Sequence, residues 1–491
     1  MDWTQLQVGM PHDRDLPPRA RRIGALTRVL KGELYDHIGI PFSVEVSPAN
    51  EYIPLHNRRP AVKHHWPRVV VDDSVALLFG NGRFPTIQHE DEKAEEALIA
   101  FAKAVKLPAV MTAAATTGSV GSVAVLFRVL KGKPRLSVLE TTTLTPTWDP
   151  EDPDELLHVT ERYRISREQV LEMGYQLAPA QADIREWWFQ RRWTRAEEQW
   201  FIPWPTSERD HVPVVDPART VRHGLGFVPV VWVRNLSEAS DAPDGPCTFE
   251  LAIDTTIEAD YQMSQSGRGL RYASDPKLVI RDPGGEDRPI AGGAANAIIM
   301  TAPDSEAKFL EISGSAAAAV LEHVQGLRRV AMEAIHGSRI DPEKSSGSQQ
   351  SGKALEILES PLIALADKLR TSYGEGCLTQ VLRMFCAASR VMPITVAGET
   401  YTSLDPHGIS LIWPRWFPPS AEERQADATT VTLLTEKRLM QRKTAVANIG
   451  PDYDIKDPDA ELAGADADQA AADARDASLA ATMEKPKPKG G

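Results

Sequence analysis

The chain is 491 residues long, enough for two to four domains or one elaborated domain, with ample material for a core. Its 42% hydrophobic and 25% charged residues are those of an ordinary soluble protein. A formal net charge of −13 argues against nucleic-acid binding through a basic footprint, but does not by itself separate a chain without DNA contact from one past which a polyanion slides without being held.

Cys247, Cys377 and Cys386 cannot all pair, and the last two fall in a strongly helical stretch, so they read as buried thiols in a reducing compartment. The 37 prolines outnumber the 32 glycines, which points to many loops and extended stretches. The opening MDWTQLQVGMPHDRDLPPRARR is charged early and lacks an apolar core, so it does not read as a signal peptide. Leu107 to Phe127 is uncharged and long enough to span a bilayer. TTGSVGS breaks it, and it reads as the end of a helix, a turn and the strand SVAVLFRVL. No membrane is expected among the partners.

To about residue 110 the pattern is helical, with NRRPAVKHHWPRVVVDDSVALLFG its strongest element. From about Ser122 to Asn235 short strands take over, the clearest being SVAVLFRVL, RLSVLETTTLTPTWDP, EWWFQRRWT, EEQWFIPW and FVPVVWVRN. Trp187, Trp188, Trp193, Trp200 and Trp204 invite a ligand-stacking role, but a β-hairpin packing its aromatic face accounts for them without a ligand. After Pro246 helices return. CTFELAIDTTIEADYQMSQSGRGLR puts Phe249, Ile253, Ile257 and Tyr261 on one stripe, opposite Asp254, Glu258 and Gln262. A strand-and-loop segment runs from DPKLVIRDPGG to AKFLEISG. SAAAAVLEHVQGLRRVAMEAIHG then keeps Val320, Val324, Leu327, Ala331 and Ile335 on one face, with Gly337 as its C-cap.

From Lys353 to Val391 the pattern is one long helix, on the order of 55–60 Å at 1.5 Å per residue. Leu355, Leu358, Leu362, Leu365 and Leu369 alternate by three and four as in a packed seam, and Pro361 is expected to kink the helix rather than end it. SAEERQADATTVTLLTEKRLMQRKTAVANIG reads as helix, with Ser420 as N-cap candidate after Pro418 and Pro419. The tail from Asp452 is Ala/Asp-rich, helical at best and then disordered.

The stretch GSQQSGKA carries Gly347, Gly352 and Lys353 on the G-x-x-x-x-G-K frame of a phosphate-binding loop. Such a loop needs a strand before it and a helix after it, so that amides and helix N-terminus converge on the phosphates. Here a helix precedes, SRIDPEKSS intervenes, and Ala354 stands where a magnesium-ligating Ser or Thr belongs. No hydrophobic strand ending in Asp supplies a second magnesium motif. The stretch reads better as a polar, flexible connection between helices, with Lys344 and Lys353 in it. His56, His64 and His65 lack the spacing of a metal-binding set and read as surface or capping residues. DPEDPDE, Asp149 to Glu155, reads as a solvated turn rather than a cation loop. GSVGS lacks the nucleophile-elbow frame. No Ser/His/Asp or Cys/His set stands out, so no catalytic residue, metal or cofactor is expected.

The order of these parts resembles the portal proteins of tailed bacteriophages over most of the chain. HGLGFVPVVWVRN, His223 to Asn235, is similar to that family's Gly-x-x-Pro-Val-Val strand ending in Asn. FPPSAEERQADATTVTLLTEKRLMQRKTAVANI followed by DPDAEL is similar to its C-terminal pattern of a Pro-Ser start, a helix and a final acidic helix, and NRRPAVKHHWPRVVVDDSVALLFG resembles its early wing helix. The resemblance implies an α+β portal fold with a mixed α/β wing, a two-helix stem, a small α/β clip, a long kinked helix with a tunnel loop, and a helical crown. Carried onto this sequence, the wing is 1–246, with its helical part first and its β-rich part second, joined by strands in 392–418. The stem helices are 247–272 and 315–337, the clip 273–314, the tunnel loop 338–352, the long helix 353–391, and the crown with a disordered acidic tail 419–491.

The same resemblance implies a non-enzymatic ring, usually of about twelve subunits, at one capsid vertex. Double-stranded DNA passes through its channel during packaging and ejection. The implied partners are the terminase large subunit, the major capsid protein, a scaffold protein and the head–tail adaptor, in a virion assembled in the host bacterial cytoplasm. The tunnel loop facing DNA would be Lys344, Ser345, Ser346, Gly347, Ser348, Gln349, Gln350, Ser351, Gly352 and Lys353. Arg268, Arg271, Arg328 and Arg329 would line the stem, with pairing to acidic residues of neighbouring subunits as the alternative. In the Gly/Ala-rich clip, Asp282, Gly284, Gly285, Glu286, Asp287 and Arg288 would meet terminase or adaptor. Two other readings stay open: a P-loop-like nucleotide hydrolase of packaging, and another structural protein of the virion head or adaptor.

Overall fold

The computed structural model describes residues 2–11, 16–80, 82–181, 183–208, 210–236, 242–274, 277–281, 306–310, 315–337, 357, 359–416, 421–450, 455 and 457–483. The first elements are helices with legible ends. Asp2 caps α1 (Trp3–Gly9) by accepting the amide of Gln5, and α2 (Pro18–Lys31) opens on proline and closes at Gly32, whose φ is 79°. Helix α3 (Trp66–Phe79) buries Val70, Val71, Val75 and Leu78. A short strand β1 (Thr86–His89) follows, then α4 (Glu92–Ala104), capped by Asp91, and α5 (Leu107–Gly118), the last two meeting at 66°.

Strand β2 (Ser122–Leu130) is buried from Ser122 to Phe127 because it lies between β3 (Lys133–Glu140) and β10 (Val230–Arg234) with both faces covered. Between them the chain builds a six-stranded sheet from β4 (Leu144–Trp148), β5 (Leu156–Ser166), β6 (Glu186–Thr194), β7 (Glu197–Trp200), β8 (Trp204–Pro205) and β9 (Val221–Arg222). Helix α6 (Arg167–Glu172) leaves β5 through a capping box of Ser166 and Gln169. Antiparallel pairing sets Val159 opposite Trp193, Tyr163 opposite Phe189 and Ile165 opposite Trp187. The tryptophans therefore divide between two faces. Trp187 and Trp193 join the aliphatic side, whereas Trp188 and Trp204 pack with Phe201 on the other. A single aromatic face is too simple a description.

Helix α7 (Ile253–Ser274) follows a 3₁₀ turn at Glu250–Ala252, and the antiparallel pair β11 (Lys277–Arg281) and β12 (Glu306–Leu310) leads to α8 (Ser315–Ala334). The end of α8 departs from expectation by one residue. His336 takes the left-handed conformation (φ 56°) and the amide of Gly337 bonds the carbonyl of Met332 at 2.8 Å, a Schellman closure with histidine at the left-handed position. Gly337 is glycine for room instead: a Cβ there would run into the sulfur of Met332 and into Val70.

Helix α9 (Ser360–Leu369) continues through a π-helical segment, Arg370–Leu378, into α10 (Thr379–Val391). Pro361 sits in the first turn of α9 rather than inside it, where its missing amide costs nothing. Leu362, Leu365 and Leu369 of the expected seam are buried, whereas Leu355 and Leu358 lie outside the described residues. The π segment has a sequence cause. Leu369, Tyr373, Cys377, Val381 and Phe385, all buried, recur every fourth residue. On an α-helix each such step drifts about 40°, and the wider π turn keeps the stripe on one side. The chain then forms the hairpin β13 (Ile394–Val396) with β14 (Glu399–Tyr401), and β15 (Ile409–Ile412), which pairs with β1 from Thr86↔Ile412 to His89↔Ile409. The N-terminal region is thus not wholly helical.

The principal core lies among α2–α5, β2 and α9–α10, where Phe101 stacks on Phe385 at 4.4 Å between centroids. Asn235, at the end of the β10 motif, is fully buried. Its Nδ2 donates to Thr248 Oγ1 (2.9 Å) and the Pro246 carbonyl (2.7 Å), and its Oδ1 accepts from the Tyr373 hydroxyl (3.0 Å). The chain divides into two units, Met1–Ser346 with Leu358–Trp416, and Gly347–Ile357 with Phe417–Gly491. In the second unit α11 (Ala421–Glu436), α12 (Arg442–Ile449) and α13 (Pro458–Met483) are helical, so the acidic stretch is helix as far as Met483. Arg442–Asp466 and Lys443–Asp459 pairs join α12 to α13.

Candidate functional site

The elements that the resemblance would make a stem are α7 and α8. Strands β11 and β12 join their far ends, and α8 also touches the 3₁₀ turn that starts α7, so the helices run antiparallel. Each buries one stripe against the body of the chain. On the α7 side these are Phe249, Ile253 and Ile257, with Tyr261 half-buried, and on the α8 side Val324, Ala331 and Ile335, with Val320 and Leu327 half-buried. Large apolar side chains also face outward: Leu251 is 76% exposed, Leu270 49%, Leu321 50% and Val330 56%.

The root of α7 is held by two polar residues. The Asp260 carboxylate, 1% exposed, accepts the Tyr35 hydroxyl (2.8 Å) and the His64 amide (2.6 Å), and bonds His64 Nδ1 (2.8 Å). One turn further, Ser264 Oγ accepts the amides of Ala61 (2.9 Å) and Val62 (3.0 Å). Residues 61–64 are therefore clamped along the helix, and burial, aided by Asp260, pushes the Tyr35 phenol far above its usual range. His64, read from sequence as a surface or capping residue, is part of this clamp. The sequence carried a signal for it: Asp260 and Ser264 continue the spacing of the buried Ile253 and Ile257, and a polar residue in a buried stripe needs a partner.

Of the expected stem cations, Arg268 pairs with Glu45 of its own chain. Arg271, Arg328 and Arg329 lie on the exposed sides of α7 and α8. The expected tunnel-loop residues, Lys344 to Lys353, and the clip residues Asp282, Gly284, Gly285, Glu286, Asp287 and Arg288 lie outside the described residues. The turn at Asp149–Glu155 is exposed through most of its length. Among the described residues no group of three or more His, Cys, Asp and Glu side chains is placed to hold a metal. No single described helix is long and apolar enough to cross a membrane, and in α4 and α5 the apolar residues Leu98, Phe101, Leu107 and Met111 are fully buried.

A family model described as phage portal protein, SPP1 Gp6-like, matches residues 16–477, nearly the whole chain. The chain belongs to the phage portal protein family. No curated protein matches it. Portal proteins are structural components of the phage capsid, and membership implies an oligomeric ring in a capsid that holds DNA. The α+β mixture of helices and small sheets agrees with the portal fold. In this portal protein α7 and α8, with their connecting strands, are the elements expected from the resemblance to form the stem.

Proposed function

We propose that about twelve copies of this chain close into a ring at one capsid vertex, with α7 and α8 forming the wall of a channel for packaging and ejecting double-stranded DNA. The observation that carries this reading is the family match over residues 16–477, together with the antiparallel pairing of α7 and α8. Leu321 and Val330 are exposed on opposite flanks of the buried α8 stripe and offer apolar contact to a copy on either side; a heterologous contact of that kind repeated by rotation closes into a ring.

In this reading 1–246 with 392–418 is the wing, 273–314 the clip, 338–352 the tunnel loop and 419–491 the crown. Lys344 and Lys353 touch phosphates transiently, each contact screened by salt. Arg271, Arg328 and Arg329 face the channel or pair with a neighbouring copy, and Arg268 acts through its pair with Glu45. The segment Asp282–Arg288 docks the terminase large subunit and later the head–tail adaptor. The scaffold and the major capsid protein meet the outer parts during assembly in the host cytoplasm. The net charge of −13 supports passage of DNA without capture.

Size-exclusion chromatography with light scattering, followed by electron-microscope class averages, tests the reading. Rings of about a dozen subunits with a central hole are expected. A small particle that hydrolyses ATP in a Lys353-dependent way would overturn it.

A further inference from the structure

The six-stranded sheet has a second face, away from its aliphatic core. Pairing of β5 with β6 sets Thr160 opposite Arg192, Arg162 opposite Gln190 and Arg164 opposite Trp188. Because side chains alternate along a strand, His158, Arg162, Arg164 and Arg192 share this face. A cleft of roughly 1100 Å³ opens on it, between Arg162, Arg164 and Trp188 on the sheet, Thr145 on β4, and Arg19 at the start of α2.

The charges here do not cancel. Arg19 is neutralised by Asp244 at 2.6 Å and Arg164 by Glu186 at 2.7 Å, while Glu208 at the rim is engaged by His211 at 2.9 Å. Arg162 lies over the rings of Trp188 (4.6 Å) and Trp204 (5.0 Å). Arg192 lies over Phe201 (5.5 Å) and donates to Thr160 Oγ1 (3.1 Å). Among the described residues neither has a carboxylate partner. His158, on the same face, has its basicity lowered by burial and then by the charge of Arg192. In a chain of net charge −13, uncompensated cations gathered on one sheet face mark a place for an anion.

We propose that this face binds an acidic polypeptide segment whose carboxylates are taken by the guanidinium groups of Arg162 and Arg192. Their planar forks match a carboxylate in two parallel bonds, and the ring contacts hold the forks in place. A nucleic-acid strand fits less well. Stacking needs open aromatic faces, but Trp188 already carries Arg162 and Arg164, and Trp204 carries Arg162 and His211. The hydroxyls of Thr145, Thr206 and Ser207 line the cleft and suit an extended peptide backbone.

The test is fluorescence anisotropy of a fluorescein-labelled decaglutamate peptide titrated with the full chain. Saturable binding that weakens with salt is expected, with a loss of about tenfold or more in the Arg162→Gln/Arg192→Gln double variant. Lysine at both positions keeps the charge without the fork and should restore only part of it. If near-UV circular dichroism shows the double variant misfolded, Thr145→Glu adds a repelling carboxylate to the same face and should give the same loss. No binding by the unaltered chain, or equal affinity in these variants, overturns the proposal. So does tighter binding of oligothymidylate that the same variants abolish, which would make the face a nucleic-acid reader. A change of assembly size without loss of peptide binding would instead make it a contact between copies, and overturns it too.

Discussion

Replacing Asp260 with alanine removes the acceptor on which the root of α7 depends. Three donors lose it at once: the Tyr35 hydroxyl at 2.8 Å, the His64 amide at 2.6 Å and the His64 ring at 2.8 Å. The site is 1% exposed, so water does not replace the carboxylate. A hydrogen bond to a charged group contributes roughly 1.5–3 kcal/mol, and a buried donor left stranded costs a similar amount. The three share one partner and are not additive, so the expected local loss is about 4–6 kcal/mol. Asp260→Asn keeps one good acceptor oxygen and should cost about 2 kcal/mol. Native-state hydrogen exchange read by mass spectrometry on peptides covering 61–66 and 256–264 measures this directly. At about 1.4 kcal/mol per decade, alanine should speed exchange there about a thousandfold or more and asparagine about thirtyfold, while the 186–194 peptide of the six-stranded sheet stays protected. Less than about tenfold acceleration in both helix-root peptides for the alanine variant would refute the claim that this carboxylate holds the helix.

Other expectations are as direct. Leu321→Asp with Val330→Asp, both on exposed positions of α8, should leave the fold intact by circular dichroism and reduce the oligomer to small species in light scattering; unchanged rings would place the subunit contact elsewhere. Gly245→Ala puts a Cβ onto the backbone carbonyl of Asn235, which has no room to move, and should destabilise by about 3 kcal/mol or more; a urea midpoint equal to the parent's would show that the loop yields. His37, His158 and His223 all have lowered pKa values, burial being the first cause in each. The unfolded chain therefore takes up protons near pH 6.5 that the folded chain refuses, and stability should fall as pH drops from about 7.5 to 5.5. His158→Gln/His223→Gln should flatten that fall in urea titrations, and an identical slope would remove these groups as its cause. The Cys377 and Cys386 thiols are pushed up to about 12 by burial, so both should resist iodoacetamide at pH 8 and react promptly in urea; fast labelling of the folded chain would mean that the α9–α10 region opens.

The readable parts of this sequence were those whose cause is local. The stripe of Val320, Val324, Leu327, Ala331 and Ile335 stood out because a helix repeats it every turn or so, and the strands EWWFQRRWT and FVPVVWVRN because their residue types favour extended backbone. TIQH at Thr86–His89 was lost among helices because its partner, Ile409–Ile412, lies far along the chain and nothing nearby announces it. The division of the tryptophans between two faces depends on pairing register, which alternation fixes only once the partner strand is known. The π segment is written in the sequence as a strict four-residue repeat from Leu369 to Phe385, but the heptad-like leucines before it point to an ordinary helix. Asp260 continues the buried stripe as a polar residue, but its three donors come from residues 35 and 64, far away in the sequence.

The pairing of β1 with β15 and the stacking of Phe101 on Phe385 also set the order in which a nascent chain can fold. Strand β2 and helices α3 to α5 leave the ribosome long before α10 and β15 exist to cover them. Loop closure over such a separation is slow, and the uncovered apolar surface is open to aggregation meanwhile. Helices α7 and α8 with their connecting strands, contiguous in sequence, can form during that wait. Synthesis therefore completes the cover over α3 to α5 last, and a chain stopped before Ile409 would expose the Thr86–His89 edge to the first other strand it met.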